Sequence, residues 1–368
     1  MKKKVLFLAQ HFITLYSFRR ELIEKLCKDG YDVFVSLPDS EDNKFFEDLG
    51  CTVIPTAVDR RGVNPVKDLN LIRFYKKMIP QVDPDIIFSY TIKPNIYGAF
   101  AVNGKTRKNG KPFRQVCNIT GTGATFLQEN FLSKLCRTLY RHSVRKSYKV
   151  FFQNTDDRDM FVKEKMVGSN YEMLPGSGVN LEQFYLAPLP EDDCINFIFI
   201  GRLMKLKGID EYLEAAKIVK TEYPNTNFYM AGYTEDHPYD KKIKEYSDFV
   251  TPLGYIKDIT QWIKKCHCTV LPSHGGEGVP NAILESSAMG RTCIGSNTSG
   301  TRDVIEDGKT GFIFEPGDVK GLSDAMKKIV NMSSQERTEM GLAGRKKVEK
   351  DFNRQIVVDK YIKEVELA

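Results

Sequence analysis

The chain lacks any long hydrophobic run. No apolar stretch in its 368 residues approaches the roughly 18–20 residues that a membrane-spanning helix needs. The first apolar residues are too few for a signal peptide, and Gln10 and His11 follow where a cleavage site should be, so residues 4–9 are interpreted as a buried strand. Paired cysteine spacings are lacking too. The cluster Cys266-His267-Cys268 has no second pair to complete a zinc site, and we expect reduced thiols in a cytoplasmic protein.

Acidic residues are scarce in one part of the sequence. Residues 105–150 contain eleven basic residues and a single acid, Glu129, although the whole chain has 54 basic and 48 acidic residues. Such a segment fits nucleic acid, an anionic membrane surface or phosphorylated ligands, and it also fits a merely solvated face. The overall composition, 41% hydrophobic and 28% charged, excludes a disordered, collagen-like or coiled-coil protein.

Short apolar segments alternate with helical ones along the chain. Strands are predicted at residues 4–9, 31–37, 51–55, 85–90, 114–120 and 150–154, and the pattern restarts at 195–200 after a linker at 180–193. The predicted helices include residues 18–28, 95–102 and 131–147. This alternation predicts parallel sheets covered by helices on both faces. We expect two α/β domains, residues 1–180 and 190–350, with ligands bound beyond the carboxyl ends of the strands in a cleft between them.

The most informative segment is residues 272–285, where glycines follow a predicted strand and precede a helix. Pro280 fits the first helical position, and the free N–H groups around residues 278–282 would attract an anion. Glu277 precedes this helix and Glu285 lies inside it, about 12 Å away if the spacing is helical throughout. A favourable interaction between an acid and the N-terminal end of the helix dipole would explain Glu277 alone. It would not explain the glycines and the second carboxylate together.

A second loop, residues 199–208, places Arg202 and Lys207 at the carboxyl edge of a strand. The arginine fork and the lysine ammonium both bind phosphate oxygens. One basic pair after a strand is weak evidence by itself, but together with the helix start it indicates a diphosphate site.

These segments resemble the family 4 glycosyltransferases, retaining enzymes of the GT-B fold. Glu277 to Glu285 matches their E-x7-E motif, and Gly201-Arg202 with Lys207-Gly208 matches their phosphate-binding segment. Residues 174–180 and 307–312 resemble their interdomain segment and a turn of their second domain. Three further segments resemble a narrower group, the bacterial enzymes that extend polyprenyl-diphosphate-linked sugars of capsule, O-antigen or glycoprotein glycans. These segments are residues 16–19, 89–95 and 120–123. In two places the sequence departs from the family: residues 10–15 lack a glycine pair, and the 120–123 turn replaces a first-domain histidine.

The resemblance implies an α/β protein of two Rossmann-like domains whose parallel sheets face an interdomain cleft. The first would bind the acceptor and the second the nucleotide-sugar, and a C-terminal helix at about 351–368 would pack back on the first. The donor would be a UDP-sugar, which is a substrate, so no cofactor is implied. The acceptor would be a polyprenyl-diphosphate-linked saccharide receiving a hexose or N-acetylhexosamine.

The resemblance also implies roles for individual residues. The catalytic residues would be Glu277, which faces the transferred sugar, and Arg202 and Lys207, which stabilise the leaving diphosphate. The donor-binding residues would be Glu285 on the ribose, Gly254, Tyr255 and Ile256 at the base, and Thr14, Gly278, Val279, Pro280, Asn281 and Ala282. The acceptor-binding residues would be Arg19, Lys93, Thr120, Gly121, Thr122 and Gly123.

No metal site is expected. Asp83 and Asp85 precede a strand, and Asp157 and Asp159 open a helix, whereas a metal holding a diphosphate should lie beyond a strand's carboxyl end. Three alternatives stay open: a nucleotide-sugar epimerase, a nucleic-acid binder using residues 105–150, and a non-catalytic partner subunit. An epimerase would lack the E-x7-E context, and the basic segment has no accompanying nucleic-acid-binding motif. The intact donor-site residues argue against a non-catalytic subunit.

The predicted helix at 131–147 gives a membrane hypothesis. Apolar residues share one side of it, namely Phe131, Leu132, Leu135 and Leu139. Basic residues share another side, namely Lys134, Arg137, Arg141 and Arg145. This pattern fits a core helix with a solvated face, and it fits docking on an anionic bilayer, where a lipid-linked acceptor lies. The second interpretation predicts a peripheral protein at the inner face of the cell membrane.

Overall fold

The computed structural model describes residues 2–58, 64–127, 129–191, 193–234 and 239–368. The chain divides into two compact units, Met1–Ser177 with Ile356–Ala368, and Gly178–Gln355. Asp192 of the predicted linker lies outside the described residues, and the other residues from 180 to 193 form neither helix nor strand. Among the described residues, no helix combines the length and the apolar character needed to cross a bilayer.

The first unit is built on one parallel sheet, whose described strands follow the order β3-β2-β1-β4-β5-β6-β7. These strands are β1 (Lys4–Leu8), β2 (Asp32–Leu37), β3 (Thr52–Pro55), β4 (Ile86–Tyr90), β5 (Gln115–Ile119), β6 (Lys149–Phe152) and β7 (Tyr171–Met173). The helices are α1 (Phe12–Lys28), α2 (Lys44–Asp48), α3 (Pro65–Val82), α4 (Ile92–Val102), α5 (Gly123–Leu127), α6 (Phe131–His142) and α7 (Thr155–Lys163). The central strands β4 and β5 are buried at every position, as continuous apolar strands of a covered parallel sheet should be.

The second unit repeats this architecture with a six-stranded parallel sheet in the order β10-β9-β8-β11-β12-β13. Its strands are β8 (Ile195–Ile200), β9 (Thr226–Ala231), β10 (Val250–Gly254), β11 (Cys268–Leu271), β12 (Thr292–Ser296) and β13 (Phe312–Phe314). Its helices are α8 (Ile209–Glu222), α9 (Asp240–Glu245), α10 (Thr260–Ile263), α11 (Asn281–Ala288), α12 (Ser299–Val304), α13 (Val319–Asn331) and α14 (Ser334–Asp351). The last helix, α15 (Arg354–Leu367), lies mostly in residues that belong to the first unit.

The C-terminal helix completes one face of the first core. Val357, Tyr361 and Val365 of α15 are buried in a cluster with residues of α1 and of β1, β4, β5 and β6. A separate cluster on the other face joins residues of α3, α4 and α6 to the same sheet. Residues from the end of the chain therefore share with α1 the cover of one face of the first sheet.

All three helices named from the sequence have different bounds in the structure, and α4 begins at Ile92 instead of at residue 95. Helix α1 begins at Phe12, not at residue 18, because His11 caps it: the Ile13 N–H donates to His11 Nδ1 at 3.1 Å. Helix α6 ends at His142, not at residue 147. The Ser143 hydroxyl donates to the Leu139 carbonyl at 2.7 Å, and a separate 3₁₀ turn, Val144–Lys146, follows. Arg145 therefore does not lie on α6, contrary to the sequence prediction.

Candidate active site

Two loops of the second unit meet beyond the carboxyl ends of β8 and β11. These strands pair in parallel, so their ends lie at the same edge of the sheet. Gly208, which closes the first loop, has a φ of +72°, and a Cβ there would lie 1.9 Å from the Pro272 carbonyl oxygen of the second. Only glycine permits this approach, which brings Lys207 next to the second loop.

Glu277 is held in this second loop as an ionised carboxylate. The Lys207 ammonium forms an ion pair with Glu277 Oε1, and the Ser273 hydroxyl donates to the same oxygen at 2.7 Å. Burial acts to raise the pKa of Glu277, but the charge and hydrogen bond of Lys207, with Ser273 and Arg202, hold it below its ordinary value. The structure thus brings together the three predicted catalytic residues. Sequence reasoning missed Ser273, although a hydroxyl four residues before the glutamate was a readable signal.

Helix α11 begins at Asn281, and Pro280 is its N-cap residue, not its first helical residue as predicted. The eight-residue spacing from Glu277 to Glu285 is therefore not helical throughout, and the 12 Å estimate does not apply. In the part of the chain that the structure describes, the Pro280 side chain accepts no hydrogen bond from the first turn of α11. The backbone N–H groups at this helix start can therefore bind an anion.

Glu285 lies inside α11 in a different electrostatic environment from Glu277. Burial raises the pKa of Glu285 to about 7, and the charge of Arg354 opposes this effect without cancelling it. The Glu285 carboxyl group is therefore partly protonated near neutral pH, whereas the Glu277 carboxyl group is not.

The segment predicted to contact a base, residues 254–256, begins at the last residue of β10. Gly254 has a φ of +67°, and its carbonyl accepts a hydrogen bond from the Gly232 N–H at 2.8 Å. The Tyr255 side chain is 65% exposed, and its ring packs edge-on against Tyr233 with centroids 6.0 Å apart. Ile256 is only partly buried. Two aromatic rings thus stand beside this turn, and sequence reasoning missed Tyr233.

In the first unit, the predicted turn Thr120-Gly121-Thr122-Gly123 directly follows β5. The Thr122 hydroxyl donates to Asp157 Oδ1 at 3.1 Å, and Asn154 Nδ2 donates to Asp157 Oδ2 at 2.9 Å. Burial raises the pKa of Asp157 to about 6, although both hydrogen bonds act to lower it. Asp157 thus fixes this turn from the start of α7, a role that its position in the sequence did not reveal.

Arg19 does not lie where the sequence prediction needs it. It is 2% exposed, and its Nε donates to the hydroxyls of Tyr90 at 3.3 Å and Tyr361 at 3.2 Å. Its guanidinium lies over both rings, so Arg19 fastens α15 to α1 and β4 rather than facing an acceptor. Thr14 lies in the first turn of α1 instead of in a loop.

Lys93 lies in the first turn of α4, and its ammonium is 2.7 Å from Asp68 Oδ1. The N-cap residue of α4, Thr91, has a φ of +70°, which strains a β-branched residue at the carboxyl end of β4. Such strain is typical of functional sites, and nothing in the sequence indicated it.

The paired acids have structural partners. Arg107 contacts Asp85 Oδ1 at 2.7 Å and Asp83 Oδ1 at 3.8 Å, and Arg158 contacts Asp159 Oδ1 at 2.8 Å. In the part of the chain that the structure describes, no three His, Cys, Asp or Glu side chains are grouped so that they could hold a metal ion.

Carboxylates neutralise part of the positive charge of the basic segment 105–150 in the structure. Four of its basic side chains form ion pairs with carboxylates, namely Arg107, Arg137, Arg141 and Lys149. Glu164 pairs with both Arg137 and Arg141, and only 14% of the Arg137 side chain is exposed. An acid from outside the segment therefore neutralises part of the basic side of α6, where Arg137 is largely buried and 40% of the Arg141 side chain is exposed.

Comparison with known proteins gives consistent results for both units. Residues 4–154 match the family model described as "Glycosyl transferase 4-like", and residues 195–332 match "Glycosyl transferases group 1". A Campylobacter jejuni N,N'-diacetylbacillosaminyl-diphospho-undecaprenol alpha-1,3-N-acetylgalactosaminyltransferase is 25% identical over 97% of this chain and 96% of its own length. An Escherichia coli UDP-Gal:alpha-D-GlcNAc-diphosphoundecaprenol alpha-1,3-galactosyltransferase is 25% identical over 84% and 80%.

Two solved structures share the fold over the whole chain. A glycosyltransferase from Rickettsia africae superposes with a TM-score of 0.80 at 16% identity, over 99% of this chain and 98% of that one. The Anabaena protein HepE, solved with UDP and glucose, gives a TM-score of 0.79 at 15% identity over 100% of both chains. The two parallel-sheet units therefore have the GT-B architecture.

Proposed function

Because this chain belongs to the family 4 glycosyltransferases, we propose that it transfers a hexose or N-acetylhexosamine from a UDP-sugar to a polyprenyl-diphosphate-linked saccharide with retention. The observation that carries the proposal is the Lys207–Glu277 ion pair, supported by Ser273 and Arg202. The names of the Campylobacter and Escherichia relatives specify undecaprenyl-diphosphate-linked acceptors, and UDP is present in the HepE structure. These similarities support the same substrate classes here, in the assembly of a capsule, O-antigen or glycoprotein glycan.

The donor site would work by placing fixed positive charge where negative charge develops. As the bond between the sugar and the diphosphate breaks, charge grows on the diphosphate oxygens. Arg202, Lys207 and the N–H groups of residues 278, 279, 281 and 282 would stabilise that charge. Glu277 would face the transferred sugar, and Glu285 would accept hydrogen bonds from the ribose hydroxyls.

The remaining donor and acceptor contacts are also part of the proposal. Residues 254–256 and Thr14 would complete the donor site, with the exposed Tyr255 ring beside the base. The acceptor would meet the turn formed by residues 120–123, with Lys93 near its diphosphate. In this proposal Arg19 only supports that region through Tyr90 and Tyr361.

A nucleotide-sugar panel tests the donor assignment. UDP and UDP-sugars should raise the unfolding temperature, because a ligand that binds only the folded state stabilises it. Transfer should then be measured on a polyprenyl-diphosphate-linked saccharide in excess EDTA, since the acids at 83, 85 and 159 are engaged by arginines. No protection by any nucleotide-sugar would contradict the donor site. Activity that is lost in EDTA and restored by magnesium would contradict metal independence.

We further propose that the first unit docks on an anionic membrane surface through α3 and α6. Helix α3 packs on α4, and α4 packs on α6. The exposed apolar side chains are Val66 (68%) and Leu69 (46%) of α3, and Phe131 (82%) and Leu135 (37%) of α6. The exposed lysines 67 and 134 lie among them in sequence. Exposed apolar and basic side chains together match the interface of an anionic bilayer. This proposal places the protein at the inner face of the cell membrane.

Sedimentation with vesicles tests this surface. The Phe131→Ser/Leu135→Ser variant should bind anionic vesicles less than the wild type, and Lys67→Glu/Lys134→Glu should abolish the salt-sensitive part of binding. Leu342→Ser, which changes a similarly exposed residue of the second unit, is the control. Changing Arg137 or Arg141 to Glu is unsuitable, because the new acid would face Glu164 and damage the fold. Equal binding of all variants would refute the surface.

A further inference from the structure

His274 forms a polar contact that the proposed donor site does not use. Its Nε2 lies 2.9 Å from Glu211 Oε1, which belongs to the first turn of α8. A carboxylate accepts hydrogen bonds, so the imidazole carries a proton on Nε2 and donates it. The Glu211 side chain is 12% exposed, and its Oε2 is buried without a hydrogen-bond partner among the described residues. A buried carboxylate with a single side-chain donor depends strongly on that donor.

The segment that His274 anchors is the loop that carries Glu277. Gly275 and Gly276 follow with φ values of +109° and +76°, and Gly278 comes directly after Glu277. A loop with so many glycines loses much conformational entropy when it is held in one arrangement. The His274 backbone N–H donates to the Leu206 carbonyl at 2.9 Å, so the same residue also ties this loop to the loop of Lys207.

Lys207 and Ser273 contact the Glu277 carboxylate. When Lys207 turns to a donor diphosphate, as the proposed function requires, its hold on Glu277 weakens. The His274–Glu211 hydrogen bond does not involve Lys207, so we expect it to persist during that exchange.

We propose that His274 and Glu211 are positioning residues, which keep the 273–278 loop and Glu277 in place while Lys207 engages the diphosphate. This inference rests on the proposed function. It predicts a larger effect on turnover than on nucleotide affinity, because Gly278 is the one residue of this loop that is assigned to the nucleotide, whereas the ribose and base are assigned to other segments. A displacement of about 1 Å in a reacting group costs roughly a hundredfold in rate.

The experiment compares His274→Ala, Glu211→Ala and the double variant with the wild type. Each single variant should lower kcat about tenfold or more and change the UDP dissociation constant less than about threefold. The double variant should be no worse than the single ones, since both remove the same contact. His274→Gln places an amide N–H near the Nε2 position and should recover most of the activity. Hydrogen exchange of the 273–278 amides should be faster in His274→Ala.

Glu214→Ala is the matched control. Glu214 lies one turn further along α8 and accepts a hydrogen bond from the Tyr246 hydroxyl, so the same type of side-chain contact is lost on the same helix. It should leave kcat and loop exchange unchanged. Additive losses in the double variant, no recovery in His274→Gln, or equal losses of UDP affinity and kcat would overturn the proposal. If the wild type itself does not bind UDP, the proposed function fails instead, and the two failures are distinct.

Discussion

Lys207 forms an ion pair with Glu277 in the structure, and in the proposed reaction it binds the diphosphate. Lys207→Ala should lower kcat at least about tenfold, because it removes a charge that stabilises the leaving diphosphate. It also leaves Glu277 with less compensation, so we expect some loss of stability as well. Lys205→Ala is the control, since Lys205 is exposed and lies with Lys207 in the 3₁₀ turn Lys205–Lys207. Wild-type turnover in Lys207→Ala would refute the assignment.

Glu285 should make nucleotide binding depend on pH. Its pKa is raised to about 7 by burial, and the ionised form accepts hydrogen bonds from the ribose hydroxyls more strongly than the protonated form does. UDP binding should therefore expel a proton, and the affinity should fall up to about tenfold per pH unit below 7 and level off above about 8. Calorimetry between pH 6 and 9 measures this.

The control for that titration is Glu285→Gln. UDP has a terminal phosphate that titrates in a similar range, and the variant reports that contribution by itself. The variant should bind UDP more weakly at pH 8, with a shallower pH dependence than the wild type. Identical slopes for the two proteins would show that Glu285 does not contact the nucleotide.

Individual side chains also mark the limit of what the sequence predicts. Glu277 and Lys207 were each identified from a short motif that follows a predicted strand. The structure places both side chains together. Arg19 was misassigned because its burial depends on Tyr361, which is 342 residues away in the chain. The pairing of Arg137 with Glu164 could not be predicted either, because no local sequence pattern shows which acid from another element will contact a helix.

Helix α7 carries a second pH-dependent group. Burial raises the pKa of Asp157 to about 6, above its value of about 3.9 in an unfolded chain. The folded state therefore binds the proton more tightly, so this contribution to stability is present below about pH 4 and is lost as the pH rises through 6. A shift of about two units corresponds to about 3 kcal/mol.

Asp157→Asn should remove that dependence while keeping an oxygen for the Thr122 hydroxyl. The free energy of unfolding, measured by urea denaturation from pH 4 to 8, should fall less steeply in the variant than in the wild type. Asp159→Asn, on the exposed side of the same helix, should behave as the wild type does. Parallel curves for all three proteins would contradict the burial effect.

At the level of elements, the buried strands and the partly exposed β3 were predicted closely, whereas β7 and β10 were not predicted. Strands β4 and β5 are continuous apolar runs, which the sequence shows directly. Strand β7 is an edge strand of three residues without a fully buried position, and β10 is exposed at three of its five positions. Neither has the alternation or apolar run by which strands are identified. Their place in the sheets is set by pairing with a neighbouring strand.

The two units of the whole molecule should differ in how they tolerate separation. Residues 178–355 contain every residue assigned to the donor site except Thr14. The segment that follows the unit boundary at residue 178 is held by Arg291, which donates to the Ala187 carbonyl at 2.8 Å and to the Pro188 carbonyl at 2.9 Å. Residues 1–177 lack part of their core, because Val357, Tyr361 and Val365 come from the end of the chain.

A fragment of residues 178–355 should therefore unfold cooperatively and bind UDP, within about tenfold of the whole chain if Thr14 contributes one hydrogen bond. A fragment of residues 1–177 should be aggregated or non-cooperative in thermal melts, since it exposes the apolar face that α15 covers and uncovers Arg19. Joining residues 356–368 to it through a flexible linker should restore a cooperative transition, and the same linker carrying Tyr361→Ala should restore it poorly. A stable 1–177 fragment, or a 178–355 fragment that folds without binding UDP, would show that the donor site or the first core is divided differently from this assignment.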